Sequence, residues 1–438
     1  MTAKRLISYR YMTLRAATAA GTLGAGMLQT FVFARVLGPQ RFSLFIFFAA
    51  LGYSLYLIDA GMVKVLFVDL RRRFLQNTAL GPLVGQATAL LSAYFAAAGL
   101  AATMCFFVLK TGFNHSTRDS GELTLFFAFN AVNLPWVALR YFSIAVDEYV
   151  YFELLEALRR CLNTAALVAL LFGLPVPIFL AVINAGWFAG VVAATTKLMQ
   201  RGVLGGHPRD NIAHLFGFFR SNKRQILASA VYAASETYIH SFPYFLVPWA
   251  YGLGAPPIIL DTTFKVYRSA NQFYSAACDA LVPRQTSALA NRDGPTMVRA
   301  TWLAAALCSI PALGISGLLI LAAAKLFAVL LGPAAVMPPA ATPVLIMLLF
   351  GNLTQMVSHS VLVHTGFFKD VGRISFGVAA ALTAVAALAV WAHFDVVQFL
   401  NAYAAVYSCG AIATVGLMIR GPIRLAQVTA AAPTVAPR

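Results

Sequence analysis

Residues 258–282 read IILDTTFKVYRSANQFYSAACDALV, a helix-length stretch whose polar side chains recur at four-three spacing: Asp261, Lys265, Arg268, Gln272, Ser275 and Asp279. At about 100° per residue these six positions fall within a narrow stripe on one helix face, with opposite charges a turn apart and able to pair. An ionisable group at bilayer depth costs roughly 2.5–3.5 kcal/mol on insertion scales, so it faces a bundle interior or a wet cavity and marks a pathway. An amphipathic surface helix, or ion pairs that only hold a bundle together, would produce the same pattern. In a membrane-embedded chain, the lining of a translocation cavity is the reading with consequences.

The surrounding sequence supplies the membrane. Of 438 residues, 60% are hydrophobic and 11% charged, with a mean hydropathy of +0.77, far beyond what one soluble core requires. The formal net charge of +17 invites a nucleic-acid reading. Basic residues on a polytopic membrane protein gather on cytoplasmic loops for topological reasons, however, and no nucleic-acid partner is expected. Cys105, Cys161, Cys278, Cys308 and Cys409 stand apart in apolar segments without CxxC spacing. Packing is their expected role, with neither disulfide nor metal. Lys4, Arg5, Arg10 and Arg15 precede an apolar run that continues to Val36, which reads as a retained first span rather than a cleaved signal.

With about 20 residues as the spanning length, twelve helices are expected near 12–36, 42–63, 79–109, 122–146, 149–172, 176–198, 224–247, 257–282, 297–323, 338–361, 374–394 and 397–419. The fold class is therefore all-α and polytopic, in two six-helix bundles related as a parallel repeat around a central cavity. Most of the 32 lysines and arginines fall in the loops this topology places inside, which puts both termini in the cytoplasm. The bounds follow: residues 1–198 as the N-terminal bundle, 199–223 as a cytoplasmic linker around Gly205-Gly206-His207-Pro208, 224–419 as the C-terminal bundle and 420–438 as a cytoplasmic tail. An internal echo supports the duplication: Ala34-Arg35-Val36-Leu37-Gly38-Pro39 after the first span resembles Ala250-Tyr251-Gly252-Leu253-Gly254-Ala255-Pro256 after the seventh. Residues 64–76, KVLFVDLRRRFLQ, read as a basic segment along the inner interface, fixing topology and touching membrane lipids.

Three further constellations carry charge or polarity inside spans. The fifth has Glu153, Glu156, Arg159 and Arg160; Glu156 and Arg160 are a turn apart and pair, which leaves Arg159 pointing elsewhere. Both arginines lie about 15 Å along the helix at 1.5 Å per residue. The fourth span aligns Asn130, Asn133 and Arg140, with Pro135 expected to kink it and free backbone carbonyls. The asparagines suit interhelical hydrogen bonds as well as a ligand. The seventh offers Glu236 and His240, one turn apart, a carboxylate and imidazole suited to proton exchange. With Asp261 they form the candidate ion-coupling set, for a proton or a sodium ion. A lone Glu-His pair is also a common structural contact.

Signatures of soluble enzymes are missing: no phosphate-binding G-x-x-x-x-G-K-[ST], no H-E-x-x-H and no G-x-S-x-G occur. No predicted outside loop exceeds a dozen or so residues, so no platform exists for chemistry on a bulky substrate. The chain is not expected to be an enzyme or to use a cofactor.

The run FVFARVLGPQRFSLFIFFAALGYSLYLIDAGM (Phe31 to Met62) resembles the first two helices of polysaccharide flippases of the multidrug/oligosaccharidyl-lipid/polysaccharide exporter superfamily, with Leu37-Gly38-Pro39 as the turn and Asp59-Ala60-Gly61 as the closing element. The stretch from Tyr267-Arg268 to Leu281-Val282-Pro283-Arg284 resembles that family's eighth helix, and Leu330-Leu331-Gly332-Pro333 the turn into its tenth. The resemblance implies two bundles in a V that rock between inward-open and outward-open states. It also implies a function: carrying an oligosaccharide linked to undecaprenyl diphosphate from the cytoplasmic to the periplasmic leaflet of the bacterial inner membrane, beside other glycan-assembly membrane proteins. Arg140, Arg159, Arg160, Lys265 and Arg268, with Gln272, are then the candidates for the diphosphate head group. Tyr232, Tyr238, Tyr244, Tyr267 and Tyr274 are candidates to stack on sugar rings. The first span lacks an intramembrane carboxylate, which favours the flippase branch over the drug-exporting relatives. A multidrug or organic-cation antiporter on the same fold is the first alternative, and a membrane glycan polymerase or ligase the second.

Overall fold

A computed structural model describes residues 9–113, 116–365 and 367–428. The basic flank at Lys4 and Arg5 and the tail beyond Val428 lie outside the described residues, which are helices joined by short turns and hold no strand. In chain order the helices are α1 (Tyr9–Val36), α2 (Pro39–Ser54), α3 (Met62–Leu75), α4 (Pro82–Phe107), α5 (Thr117–Ala131), α6 (Asn133–Ala145), α7 (Tyr149–Leu171) and α8 (Val176–Gln200). They continue with α9 (Pro208–Ser241), α10 (Pro243–Tyr251), α11 (Ala255–Ala290), α12 (Gly294–Leu331), α13 (Ala341–His364), α14 (Phe368–Trp391), α15 (Val396–Met418) and α16 (Arg424–Val428). Among the described residues, eight segments are long and apolar enough to cross a membrane. The other four expected spans fall on α1, α7, α9 and α11, and the last three carry most of the intramembrane charge.

Proline sets the breaks. Pro135 has no N–H to return to Ala131, and α5 accordingly gives way to α6 at Val132, where the kink was expected. Pro243 divides α9 from α10 at Phe242 in the same manner. The two turns of the internal echo both use a glycine at positive φ, Gly38 at 72° and Gly252 at 78°, and they meet: the Ser43 hydroxyl donates to the Gly254 carbonyl at 2.8 Å and accepts from its N–H at 2.9 Å.

The chain falls into two compact units, one spanning Gly24–Ile258, the other 259–332 and 336–428 with the start of α1. The first takes in α9 and α10, so its C-terminal limit lies at Ile258 rather than at 198. The expected linker 199–223 is short and docked. Only 201–207 is non-helical, Val203 and Leu204 are buried, the Gly205 N–H donates to Thr88 at 2.8 Å, and Pro208 starts the 34-residue α9. Helices α4 and α9 touch where Gly85 lies against Asn211 and His214. A Cβ on Gly61, at φ +77°, would stand 1.9 Å from the Ser229 hydroxyl of α9. The Asp59 carboxylate caps α3, accepting from the N–H groups of Gly61 at 3.2 Å and Val63 at 3.0 Å, and from the Tyr94 hydroxyl at 2.5 Å. The Asp-x-Gly element is therefore a helix start held against a neighbouring helix.

In α3 itself, Met62, Val63, Leu66 and Leu70 are buried at helical spacing while Val68 is exposed, the pattern of the expected interfacial helix. Its arginines are engaged locally: Arg71 with Asp147 at 2.8 Å, Arg72 with Asp69 at 2.9 Å and Arg73 with the Ala79 carbonyl at 3.2 Å. In the second unit, small residues let α13, α14 and α15 approach closely. Gly351 faces Ser408, Gly410 faces Val378, and the Ser358 and Thr414 hydroxyls are 2.7 Å apart.

Candidate substrate and coupling sites

In the first unit the α7 charges form one buried knot. The Glu156 carboxylate accepts from Arg159 at 2.7 and 3.1 Å, pairs with Arg160 at 2.5 Å, and accepts from the Trp136 indole N–H of α6 at 3.0 Å. The expectation that Arg159 would point away from Glu156 is corrected. An arginine three residues on reaches the same carboxylate as one four residues on, because both lie within the arc the carboxylate sweeps. The Arg159 guanidinium also lies over the Trp187 ring of α8, 3.7 Å from its centroid, and 5.8 Å from that of Trp136. Its side chain is 9% exposed and that of Arg160 25%. Arg140 of α6 reaches Glu153 at 3.4 Å and is one-third exposed.

The asparagines at the α5–α6 break serve the break. Asn130 donates to the Phe126 carbonyl at 2.8 Å and Asn133 to the Asn130 carbonyl at 2.9 Å, while the Tyr56 hydroxyl donates to the Asn133 carbonyl at 3.1 Å. These bonds tie the side chains to backbone carbonyls on either side of the break. On α9, Glu236 and His240 do come together, with Oε2 and Nε2 3.8 Å apart and side chains 18% and 29% exposed. That separation is beyond a hydrogen bond and within ion-pair reach of a protonated imidazole, and both side chains are partly open.

In the second unit the α11 stripe is graded. Asp261 is buried and pairs with Lys265 at 2.6 Å; Lys265 and Arg268 are half-buried, and Gln272 and Asp279 are exposed. Arg268 stands 5.5 Å from the centre of the Phe264 ring. The opposite face is fixed by polar bonds to α13 and α15. Asn352 donates to the Tyr267 carbonyl at 3.2 Å and accepts from the Tyr407 hydroxyl at 3.3 Å, and the Tyr274 hydroxyl donates to the Leu349 carbonyl at 3.3 Å. Tyr244, Tyr267 and Tyr274 are thus buried, and the expectation that they offer a face to sugar is corrected. Tyr238 is exposed but stacks on Phe242. Helical spacing ranks these tyrosines equally, and only packing separates them.

The residues that sequence reasoning missed are the aromatic partners. Trp136 and Trp187 decide how Arg159 is used, yet they lie on other helices, and no local spacing connects them to it. Among the described residues no cluster of three or more His, Cys, Asp or Glu could hold a metal ion.

No protein-family model matches the sequence, and no curated protein matches it either. Solved structures do. An inward-facing multidrug resistance MATE family transporter of the MOP superfamily superimposes with a TM-score of 0.65 at 11% identity, over 94% of this chain and 98% of its own. A MOP superfamily transporter from Pyrococcus furiosus, described by a reversed polarity of its binding pocket, gives 0.63 at 11% identity over 95% and 96%. The eukaryotic MATE transporter AtDTX14 gives 0.60 at 12% over 95% and 97%. At such identities the likeness fixes the architecture: this chain has the multi-pass, all-helical fold of the MATE transporters.

Proposed function

We propose that the chain is a transporter rather than an enzyme, moving its substrate across the bacterial inner membrane by alternating access, with both termini cytoplasmic. The observation that carries the substrate reading is the pairing of the intramembrane cations. Arg159 and Arg160 are held by Glu156, Arg140 by Glu153 and Lys265 by Asp261. A diphosphate site needs fixed positive charge left over for the ligand, and these pairs consume most of it. Multidrug transporters are also among the chains that share this fold. A small organic cation or drug, exchanged for a proton or a sodium ion at Glu236 and His240, is therefore better supported than a lipid-linked oligosaccharide.

The flippase reading keeps one specific support: Lys265 and Arg268 lie about a turn apart on one face of α11, half-buried rather than sealed in. In that reading they and Gln272 meet the head group, and Arg140, Arg159 and Arg160 position helices.

The deciding experiment reconstitutes the protein in liposomes and imposes a proton or sodium gradient. Gradient-driven movement of ethidium that falls in Glu236→Gln supports the exporter. Transbilayer movement of a fluorescent undecaprenyl-diphosphate oligosaccharide, with no ethidium transport, transfers the assignment to the flippase. Failure of both substrates overturns the transporter reading as drawn.

A further inference from the structure

The second unit contains a feature that transport does not use. Cys278 on α11 and Cys308 on α12 are 30 residues apart in sequence, yet their Sγ atoms face each other at 3.9 Å. Both side chains are buried, 1% and 0% exposed. Two backbone carbonyls flank them: the Cys278 thiol reaches the Met356 carbonyl of α13 at 3.9 Å, and the Cys308 thiol the Tyr274 carbonyl of α11 at 3.7 Å. Each thiol proton thus has an acceptor other than the opposing sulfur, which leaves the sulfur lone pairs free to approach. Bond formation at about 2.05 Å requires just under 2 Å of approach, and rotation between staggered wells about the two Cα–Cβ bonds moves each sulfur farther than that. No local spacing announces it, because the partners occupy different helices and neither belongs to a CxxC motif.

We propose that Cys278 and Cys308 are a dithiol modification site, closed to a disulfide by a small uncharged oxidant of the peroxide class that enters through the bilayer. One thiolate sulfur attacks a peroxide oxygen; the O–O bond breaks, hydroxide leaves and takes up the thiol proton as water, and a sulfenic acid remains. The second thiol's sulfur then attacks the sulfenyl sulfur. The S–S bond forms, the S–O bond breaks, and a second water departs with the remaining proton. Two thiols lose two electrons and one peroxide gains them. The product is a covalent strap between the helix bearing the polar stripe and the helix that follows it. Cys161 and Cys409 are exposed and Cys105 stands apart, which makes them internal controls.

The test treats the full-length protein in detergent with hydrogen peroxide, blocks remaining thiols, digests with trypsin and maps cross-linked peptides by mass. Cys278 and Cys308 fall in separate tryptic peptides, 269–284 and 300–325. The expected result is a 269–284/300–325 cross-link that dithiothreitol dissolves. In a Cys105→Ser/Cys161→Ser/Cys409→Ser variant, the two thiols that react with maleimide after denaturation should fall to none when the folded protein is first oxidised, and return on reduction. Full alkylation of both residues after peroxide treatment, or cross-links confined to Cys161 and Cys409, would overturn the proposal. The wild-type peptide map decides the matter even where the triple variant fails to fold. Neither readout depends on what the protein transports.

Discussion

Helices α7 and α11 each carry two arginines or lysines and at least one carboxylate within an expected span, and they treat them in opposite ways. On α7 the charges collapse onto one buried carboxylate, and the arginine nearest the core is roofed by tryptophan. On α11 they are strung along a face that grades from buried Asp261 to exposed Gln272 and Asp279. A buried charge knot removes its members from contact with any ligand and returns conformational definition. A graded stripe leaves its cations half-buried beside a buried carboxylate, Lys265 paired with Asp261. Residue types in a span therefore do not separate structure from function; the burial of their partners does.

The strongest way to break this comparison is at Glu156. Replacement by Gln removes the negative charge that Arg159 and Arg160 share and leaves a guanidinium of 9% exposure uncompensated. Removing one partner of a buried pair costs about 3–5 kcal/mol, so Glu156→Gln should sharply lower folded yield and melting temperature in detergent. Near-normal thermal stability would show the knot to be ornamental. The counterpart on α11 is Lys265→Gln with Arg268→Gln. Both side chains are half-buried and Asp261 loses only its lysine, so the stability loss should be about 1 kcal/mol; on the flippase reading, transbilayer movement of the oligosaccharide should fall at least tenfold, about 1.4 kcal/mol of lost differential binding. A variant that misfolds instead would place α11 in the same structural class as α7.

Asp261 sharpens the contrast at intermediate size. Asp261→Asn keeps an acceptor for Lys265 and removes only the charge, and Lys265 can turn toward water because a fifth of its side chain is exposed. The expected stability loss is about 1 kcal/mol, as for a partly exposed pair, well below that of Glu156→Gln. Equal losses at the two sites, measured by unfolding in the same detergent, would erase the distinction between them.

Much of this architecture was legible beforehand, for identifiable reasons. Apolar runs near 20 residues have one low-energy solution in lipid, and every expected span falls on a helix. Pro135 announced the α5–α6 break because a missing N–H is a local fact. The Glu236–His240 and Asp261–Lys265 pairs were legible from helical spacing alone. What escaped was everything decided between helices. Arg159 is claimed by Trp187, Tyr267 and Tyr274 are turned into the α13 and α15 seam, residues 201–207 are docked on α4, and Cys278 meets Cys308. Periodicity names a face but does not say what covers it.

The smallest expected effect lies at the far end of the same scale, on a carboxylate wholly in water. Asp293 caps α12, and Thr296 holds its carboxyl below the ordinary carboxylate value through its hydroxyl and its backbone N–H, with Arg299 adding attraction. A depressed folded value means that the cap's contribution is complete above the unfolded value of about 3.9, and is lost as pH falls through the folded value. Hydrogen exchange at the Thr296 amide, compared with Asp293→Ala at each pH, should therefore show cap-dependent protection at pH 5 and above. That protection should shrink only on approach to pH 3. Loss of protection beginning near pH 6 would mean that a group other than Asp293 controls the start of α12. The exposed end of the comparison would then need a different anchor.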